Sequence, residues 1–260
     1  MSHDLNVGRV LLVGAGPGPV DLMTMRAVRA VEGAQALLYD ALTSEDAIAL
    51  APPGCIRIQT GKRSGRASMK QETINRLMLR LARRGLRVVR LKGGDPSVFG
   101  RVGEESEFLK GHGVPIEVVP GVTAACAAAA QFHFPLTHRG QARRVVFTTA
   151  RLEAGALAGD WSAAADPETT MAIYMGGEVV AELGRRMIAA GRCPTTPALA
   201  VEQAGGADAR LYRGTLETLP ARLAEAGRGP VLIIIGEVAA RADPQRWIDE
   251  VSVQAAGLRA

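Results

Sequence analysis

The sequence contains few aromatic residues and few cysteines. Phenylalanine, tyrosine and tryptophan make up 4% of the 260 residues, which leaves few rings on which the bases of a nucleic acid could stack. The three cysteines are scattered and odd in number, a usage typical of reduced thiols in a cytosol rather than of a disulfide-linked secreted domain. We therefore expect a cytoplasmic protein that binds no nucleic acid, although its basic charge alone is compatible with a nucleic-acid-binding module.

Long apolar runs and metal-binding patterns are also absent from the sequence. No run approaches the ~20 apolar residues that a membrane-spanning helix needs, and the polar start over residues 1–6 does not resemble a signal peptide. The four histidines have no metal-ligand spacing with the cysteines. We expect neither membrane contact nor a metal site.

What the sequence does contain is a large apolar fraction and an excess of positive charge. Apolar residues make up 47% of the chain and the net charge is +5, a balance that favours an acidic partner such as an anionic small molecule. A general preference for arginine would produce the same charge. One short loop concentrates cations and predicts either an anion-binding loop or a merely solvated one; its cations are Lys62, Arg63 and Arg66.

A glycine-rich turn follows the strand that we predict to be central. The run Val88–Leu91 predicts a buried strand, and the Gly-Gly-Asp-Pro sequence at 93–96 predicts a turn, because two residues lack a Cβ and the proline excludes an immediate helix. A helical pattern begins at Arg101. Ligands of α/β proteins bind at such strand–turn–helix junctions, and Asp95 could accept hydrogen bonds from ligand hydroxyls. A plain tight turn is the alternative.

A second glycine-rich turn follows the predicted first strand, Arg9–Val13. Its pattern departs from the dinucleotide fingerprint G-x-G-x-x-G, because Pro19 stands where the third glycine belongs. Pro17 and Pro19 also remove two N–H donors that a pyrophosphate would use. The turn therefore argues against a NAD-dependent reductase. Asp21 is expected at the start of the next helix.

Asp40 ends the predicted second strand, Ala36–Asp40. An acid at the carboxyl end of a strand is a candidate for catalysis, and its neighbours Tyr39 and Leu42 predict an apolar setting that would sharpen it as a base. A helix N-cap or a turn residue is the alternative interpretation.

The order of the predicted elements indicates an α/β fold. The first half alternates strands with helices, which predicts a mostly parallel sheet. From the strand Arg144–Thr149 onward, some strands follow one another without intervening helices, so a mixed sheet is expected. We predict an N-terminal α/β domain over residues 1–138 and a C-terminal α/β domain over residues 139–260.

Together these motifs resemble the tetrapyrrole methylase family of S-adenosylmethionine-dependent methyltransferases. The resemblance covers nearly all of residues 8–240 and depends on the order and spacing of short motifs at 13–18, 38–42, 61–63, 89–96, 99–101, 119–124, 135–139, 174–176 and 235–237. Each motif is weak alone, but the set is specific. Two positions depart from the family, since Pro19 stands where an aspartate is usual and Ala204 where a glycine is common.

The resemblance implies two α/β domains with the active site in the cleft between them, and a homodimer. It implies that S-adenosylmethionine is the methyl donor, leaving S-adenosylhomocysteine, and that no metal takes part. The matching cofactor residues are Pro17, Gly93, Gly94, Asp95, Val98, Thr123, Ala124, Met175 and Ala204. Asp40 matches the family's proposed proton acceptor and Lys62 its proposed proton donor. Our candidates to bind the carboxylates of a tetrapyrrole substrate are Lys62, Arg63, Arg66 and Arg139.

The Gly-Lys-Arg motif at 61–63 and the Leu-Thr-His-Arg motif at 136–139 favour one branch of the family. That branch methylates uroporphyrinogen III twice, at C2 and C7, to give precorrin-2 for sirohaem or cobalamin biosynthesis. Methylation of a later precorrin intermediate of cobalamin biosynthesis is the alternative.

Overall fold

The computed structural model describes residues 7–61, 69–150, 152–153, 156–157, 161–224, 226–227 and 229–243. The chain forms two compact units. The first runs to Ala124 and includes Gly205–Ala207, and the second consists of Ala125–Ala204 and the residues from Asp208 onward. The prediction of domains divided between residues 138 and 139 stays a prediction.

The first unit contains a five-stranded sheet in which every strand pair is parallel. Its strand order is β3-β2-β4-β1-β5, with β4 hydrogen-bonded to β1 on one side and to β2 on the other. The strands are β1 (Val10–Gly14), β2 (Ala36–Tyr39), β3 (Ile56–Gln59), β4 (Val88–Lys92) and β5 (Ile116–Val119). The parallel sheet expected for the first half of the chain is therefore confirmed.

Helices cover both faces of this sheet because the strand side chains alternate between two apolar clusters. Leu11 and Leu91 pack with one cluster, whereas Leu12 and Val88 pack with the other. Burying a leucine side chain contributes about 1.5–3 kcal/mol, so both faces need cover. The helices between the strands are α1 (Met25–Glu32), α2 (Glu45–Ala49), α3 (Gln71–Ala82) and α4 (Val102–Gly111).

The second unit is built around a mixed five-stranded sheet of order β11-β10-β12-β9-β6. The pair β6 and β9 is parallel and the other neighbours are antiparallel, which confirms the expected mixed character. The elements are α5 (Ala124–Gln131), β6 (Arg144–Thr149), the short pair β7 (Leu152–Glu153) and β8 (Ala156–Leu157), β9 (Thr169–Tyr174), α6 (Val180–Ala189), β10 (Pro197–Glu202), β11 (Arg210–Thr215), α7 (Leu219–Leu223) and β12 (Val231–Ile235). Helix α5 begins with the last residue of the first unit.

The start of the first helix differs from the prediction. Asp21 lies in a 3-10 turn, Val20–Leu22, and α1 begins only at Met25. The oxygen Oγ1 of Thr24 accepts a hydrogen bond from the N–H of Ala27 at 3.1 Å, so a threonine caps the helix.

Among the residues that the structure describes, no helix is both long and apolar enough to cross a membrane.

A buried carboxylate at the end of β10 stabilises the second unit. Glu202 is 2% exposed. Its Oε1 accepts a hydrogen bond from the N–H of Gly229 at 3.1 Å, and its Oε2 accepts from the N–H of Gly227 at 3.2 Å and from the hydroxyl of Tyr212 at 3.0 Å. Burial by itself would raise the pKa of this carboxyl, but the hydrogen bonds outweigh burial and hold its pKa below the ordinary value.

We expect Glu202→Gln to lower the free energy of unfolding by about 1–3 kcal/mol at neutral pH, because a neutral amide replaces a hydrogen-bonded carboxylate. A carboxyl with a depressed folded-state pKa stabilises the fold above its unfolded-state pKa, about 4.3 for glutamate. This contribution is lost as pH falls through the folded-state value. Urea unfolding at neutral and acid pH measures the effect, and the difference between wild type and variant should shrink in acid. A difference that does not change with pH would contradict the assignment.

Candidate functional site

The turns after β1 and β4 are joined by backbone hydrogen bonds at the carboxyl edge of the first sheet. The N–H of Ala15 donates to the carbonyl of Lys92 at 2.8 Å, and Gly16 and Gly94 exchange hydrogen bonds of 3.2 and 2.7 Å. The two glycine-rich turns that were predicted separately from the sequence therefore form one structure. Since both follow parallel strands, they lie where ligands of α/β proteins bind.

Asp95 connects this pair of turns to the loop after β5. Its Oδ2 accepts a hydrogen bond from the N–H of Gly121 at 2.9 Å, and its Oδ1 accepts from the N–H of Ser97 at 2.7 Å and from the Ser97 hydroxyl. Burial opposes ionisation, but these hydrogen bonds leave the pKa of Asp95 below its ordinary value. The carboxylate thus holds three loops together, while its expected contact with ligand hydroxyls stays a prediction.

Two glycines in these turns differ in what their missing side chains would meet. A Cβ on Gly14 would lie 2.7 Å from the backbone nitrogen of Gly121, so this position needs glycine for backbone packing. For Gly93, the three heavy atoms nearest to an added Cβ all belong to Leu42, and the nearest is the Cβ of Leu42 at 3.1 Å. Leu42 is itself 63% exposed. An added methyl group at Gly93 would therefore first press on an exposed leucine rather than on the backbone of another turn.

The predicted cofactor residues lie in both units. Pro17 and Val98 are half-buried in the first unit, and Thr123 is buried beside Ala124, the first residue of α5. The second unit contains Met175 after β9 and Ala204 after β10. Both strands are antiparallel to β12, so they run in the same direction and end at the same edge of their sheet.

Asp40 occupies a polar setting, which corrects the apolar setting expected from its neighbours in sequence. Its Oδ1 is paired with Nη2 of the buried Arg90 and lies 3.1 Å from the hydroxyl of Thr60. The Asp40 side chain is 30% exposed, and its Oδ2 accepts no hydrogen bond within the described ranges. Asp40 is not a helix N-cap, because the cap of α2 is Ser44. Within the described residues, the carboxylate is therefore held through Oδ1 alone.

Below Asp40 lies a cluster of buried charges that the sequence analysis missed, which we call the buried ion cluster. It contains Asp40, Arg90, Lys92 and Glu105. Glu105 is fully buried; its Oε1 lies 3.3 Å from Nε of Arg90, and Nζ of Lys92 lies 3.0 Å from each of its oxygens. Gln71 of α3 donates to the same Oε1 at 3.0 Å. The alternation of β4 could have indicated the cluster, because two charged residues at i and i+2 stand in an otherwise apolar strand.

The buried ion cluster is balanced in formal charge, with two acids and two bases. Burial and the neighbouring charge of Arg90 hold the pKa of Lys92 below its ordinary value, although Glu105 opposes this shift. Buried charges are tolerated when each is paired and hydrogen-bonded. The predicted apolar run Val88–Leu91 thus contains a charged residue whose side chain is 3% exposed, Arg90.

A cavity of about 650 Å³ opens beside Asp40 in the first unit. Its lining includes Tyr39, Thr43, Ser44, Arg57 and Gln59.

The segment just before α4 has an unusual backbone conformation. Phe99 and Arg101 have φ values of 55° and 58°, which are unfavourable for residues other than glycine. Strained backbone of this kind is typical of functional loops.

Of the four residues predicted to bind substrate carboxylates, three lie outside the described residues: Lys62, Arg63 and Arg66. Arg139 is an exposed residue of the second unit, in the turn closed by the hydrogen bond from the N–H of His138 to the carbonyl of Ala142. Within the described ranges, no three His, Cys, Asp or Glu side chains are grouped as a metal site would require.

Known proteins resemble this chain in both sequence and fold. Residues 9–220 match the family model of the tetrapyrrole (corrin/porphyrin) methylases. The structure of a uroporphyrin-III C-methyl transferase from Thermus thermophilus, complexed with S-adenyl homocysteine, is 43% identical and has a TM-score of 0.79; the match covers 90% of this chain and 100% of that one. A cobalt precorrin-4 methyltransferase structure is 31% identical with a TM-score of 0.80, over 89% of this chain and 95% of that one.

A curated relative, a sirohaem synthase from Methylococcus capsulatus, is 45% identical over 242 residues, which are 92% of this chain and 51% of the relative. The chain thus spans about half the length of the curated relatives it matches. The family model covers most of the chain, and the solved relatives share its parallel and mixed sheets. On these grounds the chain belongs to the tetrapyrrole methylases.

Proposed function

We propose that this chain is an S-adenosylmethionine-dependent C-methyltransferase that methylates uroporphyrinogen III at C2 and C7 to give precorrin-2. The observation that carries the proposal is the Asp40 carboxylate, which lines a cavity, is held through Oδ1 by Arg90 and Thr60, and accepts no hydrogen bond at Oδ2 from the described residues. The 43% identity to a uroporphyrin-III C-methyl transferase supports the choice of substrate. The product would serve sirohaem or cobalamin biosynthesis.

The glycine turns have the features that a cofactor site needs. The absence of a side chain at Gly93 lets a ligand approach the backbone, and Asp95 joins its own turn to the loop after β5. We infer that the turn residues Gly93 and Gly94, together with Pro17, Asp95, Val98, Thr123 and Ala124, bind S-adenosylmethionine, and that Met175 and Ala204 contribute from the second unit. When bound, this cofactor supplies a methyl group activated by its positively charged sulfur.

The remaining chemistry requires positioning and the removal of one proton for each methyl group transferred. A displacement in which charge is dispersed gains most from holding the reacting groups in line. The substrate carbon loses a proton as its new C–C bond forms, and Asp40 is our proposed acceptor because its Oδ1 is held by Arg90 while its Oδ2 accepts no hydrogen bond from the described residues. Lys62 is proposed as the proton donor. The positively charged Arg63, Arg66 and Arg139 are proposed to bind substrate carboxylates.

The proposed reaction is tested by mass spectrometry of the product. The protein is incubated anaerobically with uroporphyrinogen III and S-adenosylmethionine, and we expect a product heavier by two CH₂ units, because each new methyl group replaces a hydrogen. The cobalt precorrin-4 methyltransferase, with its comparable TM-score, favours a later precorrin intermediate as the second candidate substrate. Methylation of such an intermediate with no consumption of uroporphyrinogen III would decide for that alternative.

We expect Asp40→Asn to lower single-turnover methyl transfer by roughly 10²–10⁴-fold, the usual scale for general acid–base catalysis. Cofactor affinity should change little, because Asn is nearly isosteric with Asp, whereas the melting temperature should fall, because the buried Arg90 loses a charged partner. Rapid-quench kinetics beside a thermal melt separates the two effects. A shifted melt with a normal rate would make Asp40 a structural residue, and the proton would then pass to water or to another group.

We expect Gly93→Ala to weaken S-adenosylmethionine binding by roughly 10- to 100-fold, since overpacking by a methyl group costs about 1–3 kcal/mol. Gly93 suits this test better than Gly94, whose φ of 68° would strain any side chain whether or not a ligand binds there. Gly54→Ala is the matched control, because a Cβ on Gly54 meets nothing within 4 Å. Isothermal calorimetry that finds equal affinities for both variants would refute the assignment of this turn to the cofactor.

A further inference from the structure

The buried ion cluster fixes the direction in which Arg90 presents its guanidinium. Nε of Arg90 donates to Glu105 at 3.3 Å and Nη1 donates to the carbonyl of Leu91 at 3.3 Å. Because the guanidinium is planar, two such contacts determine where Nη2 points. Nη2 is paired with Oδ1 of Asp40. The orientation of the Asp40 carboxylate therefore depends on Arg90.

Glu105 in turn is held from three sides. It receives two contacts of 3.0 Å from Lys92 and one of 3.0 Å from Gln71, in addition to Arg90. Every charge in the buried ion cluster has a partner, and the side chains of Arg90, Lys92 and Glu105 are each at most 4% exposed. Such a cluster leaves Arg90 little freedom to adopt another rotamer.

Folding alone does not require this arrangement. Buried ion pairs can often be replaced by apolar residues of similar volume with no loss of stability. Val88, two residues before Arg90 and on the same face of the strand, packs in an apolar cluster with Leu109 of α4. The part of the cluster that reaches the exposed edge of the sheet is Asp40, with a side chain 30% exposed beside the cavity.

We propose that Arg90 is a positioning residue for the reaction. It fixes Oδ1 of Asp40 so that Oδ2 remains available to accept a proton, and Glu105 and Lys92 keep Arg90 in place. This inference rests on the proposed role of Asp40 as proton acceptor, and it adds to that role the residues through which the carboxylate is oriented.

The test is a double-mutant cycle between Arg90→Lys and Asp40→Asn, read by single-turnover methyl transfer from S-adenosylmethionine to uroporphyrinogen III. Lysine keeps the charge but lacks the planar fork. We expect Arg90→Lys to lower the rate about 10- to 100-fold, the usual consequence of a small misplacement, and to leave the KM for S-adenosylmethionine unchanged. In the Asp40→Asn background the same change should have almost no further effect on the rate.

Arg192→Lys is the matched control. Arg192 is a buried arginine of the second unit, 2% exposed, which donates to the carbonyls of Ala164 and Thr169 at 3.2 and 3.4 Å. We expect the Arg192→Lys substitution to lower the melting temperature, as Arg90→Lys does, while the rate per folded molecule stays normal. If Arg90→Lys also leaves the rate per folded molecule normal, Arg90 is merely structural and the proposal is wrong. The same conclusion follows if Arg90→Lys lowers the rate by the same factor in wild-type protein and in the Asp40→Asn variant.

Glu105→Gln keeps the proposal testable if Arg90→Lys does not fold. This substitution preserves the shape of the side chain but weakens its contact with Arg90. We therefore expect a smaller loss of rate, and only in protein that retains Asp40. Equal losses in both backgrounds would overturn the proposal. A normal rate in the Asp40→Asn single variant is a separate outcome. It would show that Asp40 is not the proton acceptor, and Arg90 would then have no carboxylate to position for the reaction.

Discussion

Strand β4 hydrogen-bonds to β1 and β2 along its length, and the candidate site depends on this pairing. Gly14 is in register with Lys92, and Tyr39 is in register with Leu91. Because the three strands are parallel and end at nearly the same level, the two glycine turns and Asp40 lie at one edge. A shift of register by one residue would turn every side chain of β4 to the opposite face and would separate Arg90 from Asp40.

The two faces of β4 have different chemical roles. Val89 and Leu91 pack into the apolar cluster with α1, whereas Arg90 and Lys92 meet Glu105 of α4. Removing one member of a buried pair leaves an uncompensated charge and costs about 3–5 kcal/mol. The strand that supports the candidate site is therefore also a point at which single substitutions affect stability, and kinetic effects there need to be measured per folded molecule.

The fold by itself does not decide the substrate. The uroporphyrin-III C-methyl transferase and the cobalt precorrin-4 methyltransferase have TM-scores of 0.79 and 0.80 against this chain. Functional differences on a shared fold arise from the residues that line its sites. We therefore expect side chains at sites such as the cavity beside Asp40, rather than the two sheets, to determine the substrate.

The sequence by itself determined the class of fold, most strand limits and the family. Strand–helix alternation, apolar runs and glycine turns are local patterns; β6 has the predicted limits, and the limits of β1, β2 and β4 differ from the predicted ones by no more than one residue. The start of α1 was wrong because Thr24, rather than Asp21, accepts the free N–H of the first turn. Only the tertiary structure decided that Asp40 is paired with Arg90 and that Arg90 also contacts Glu105, fifteen residues further along the chain. Contacts between distant segments depend on strand order and register, which local patterns do not specify, so the apolar setting expected for Asp40 became an ionic one.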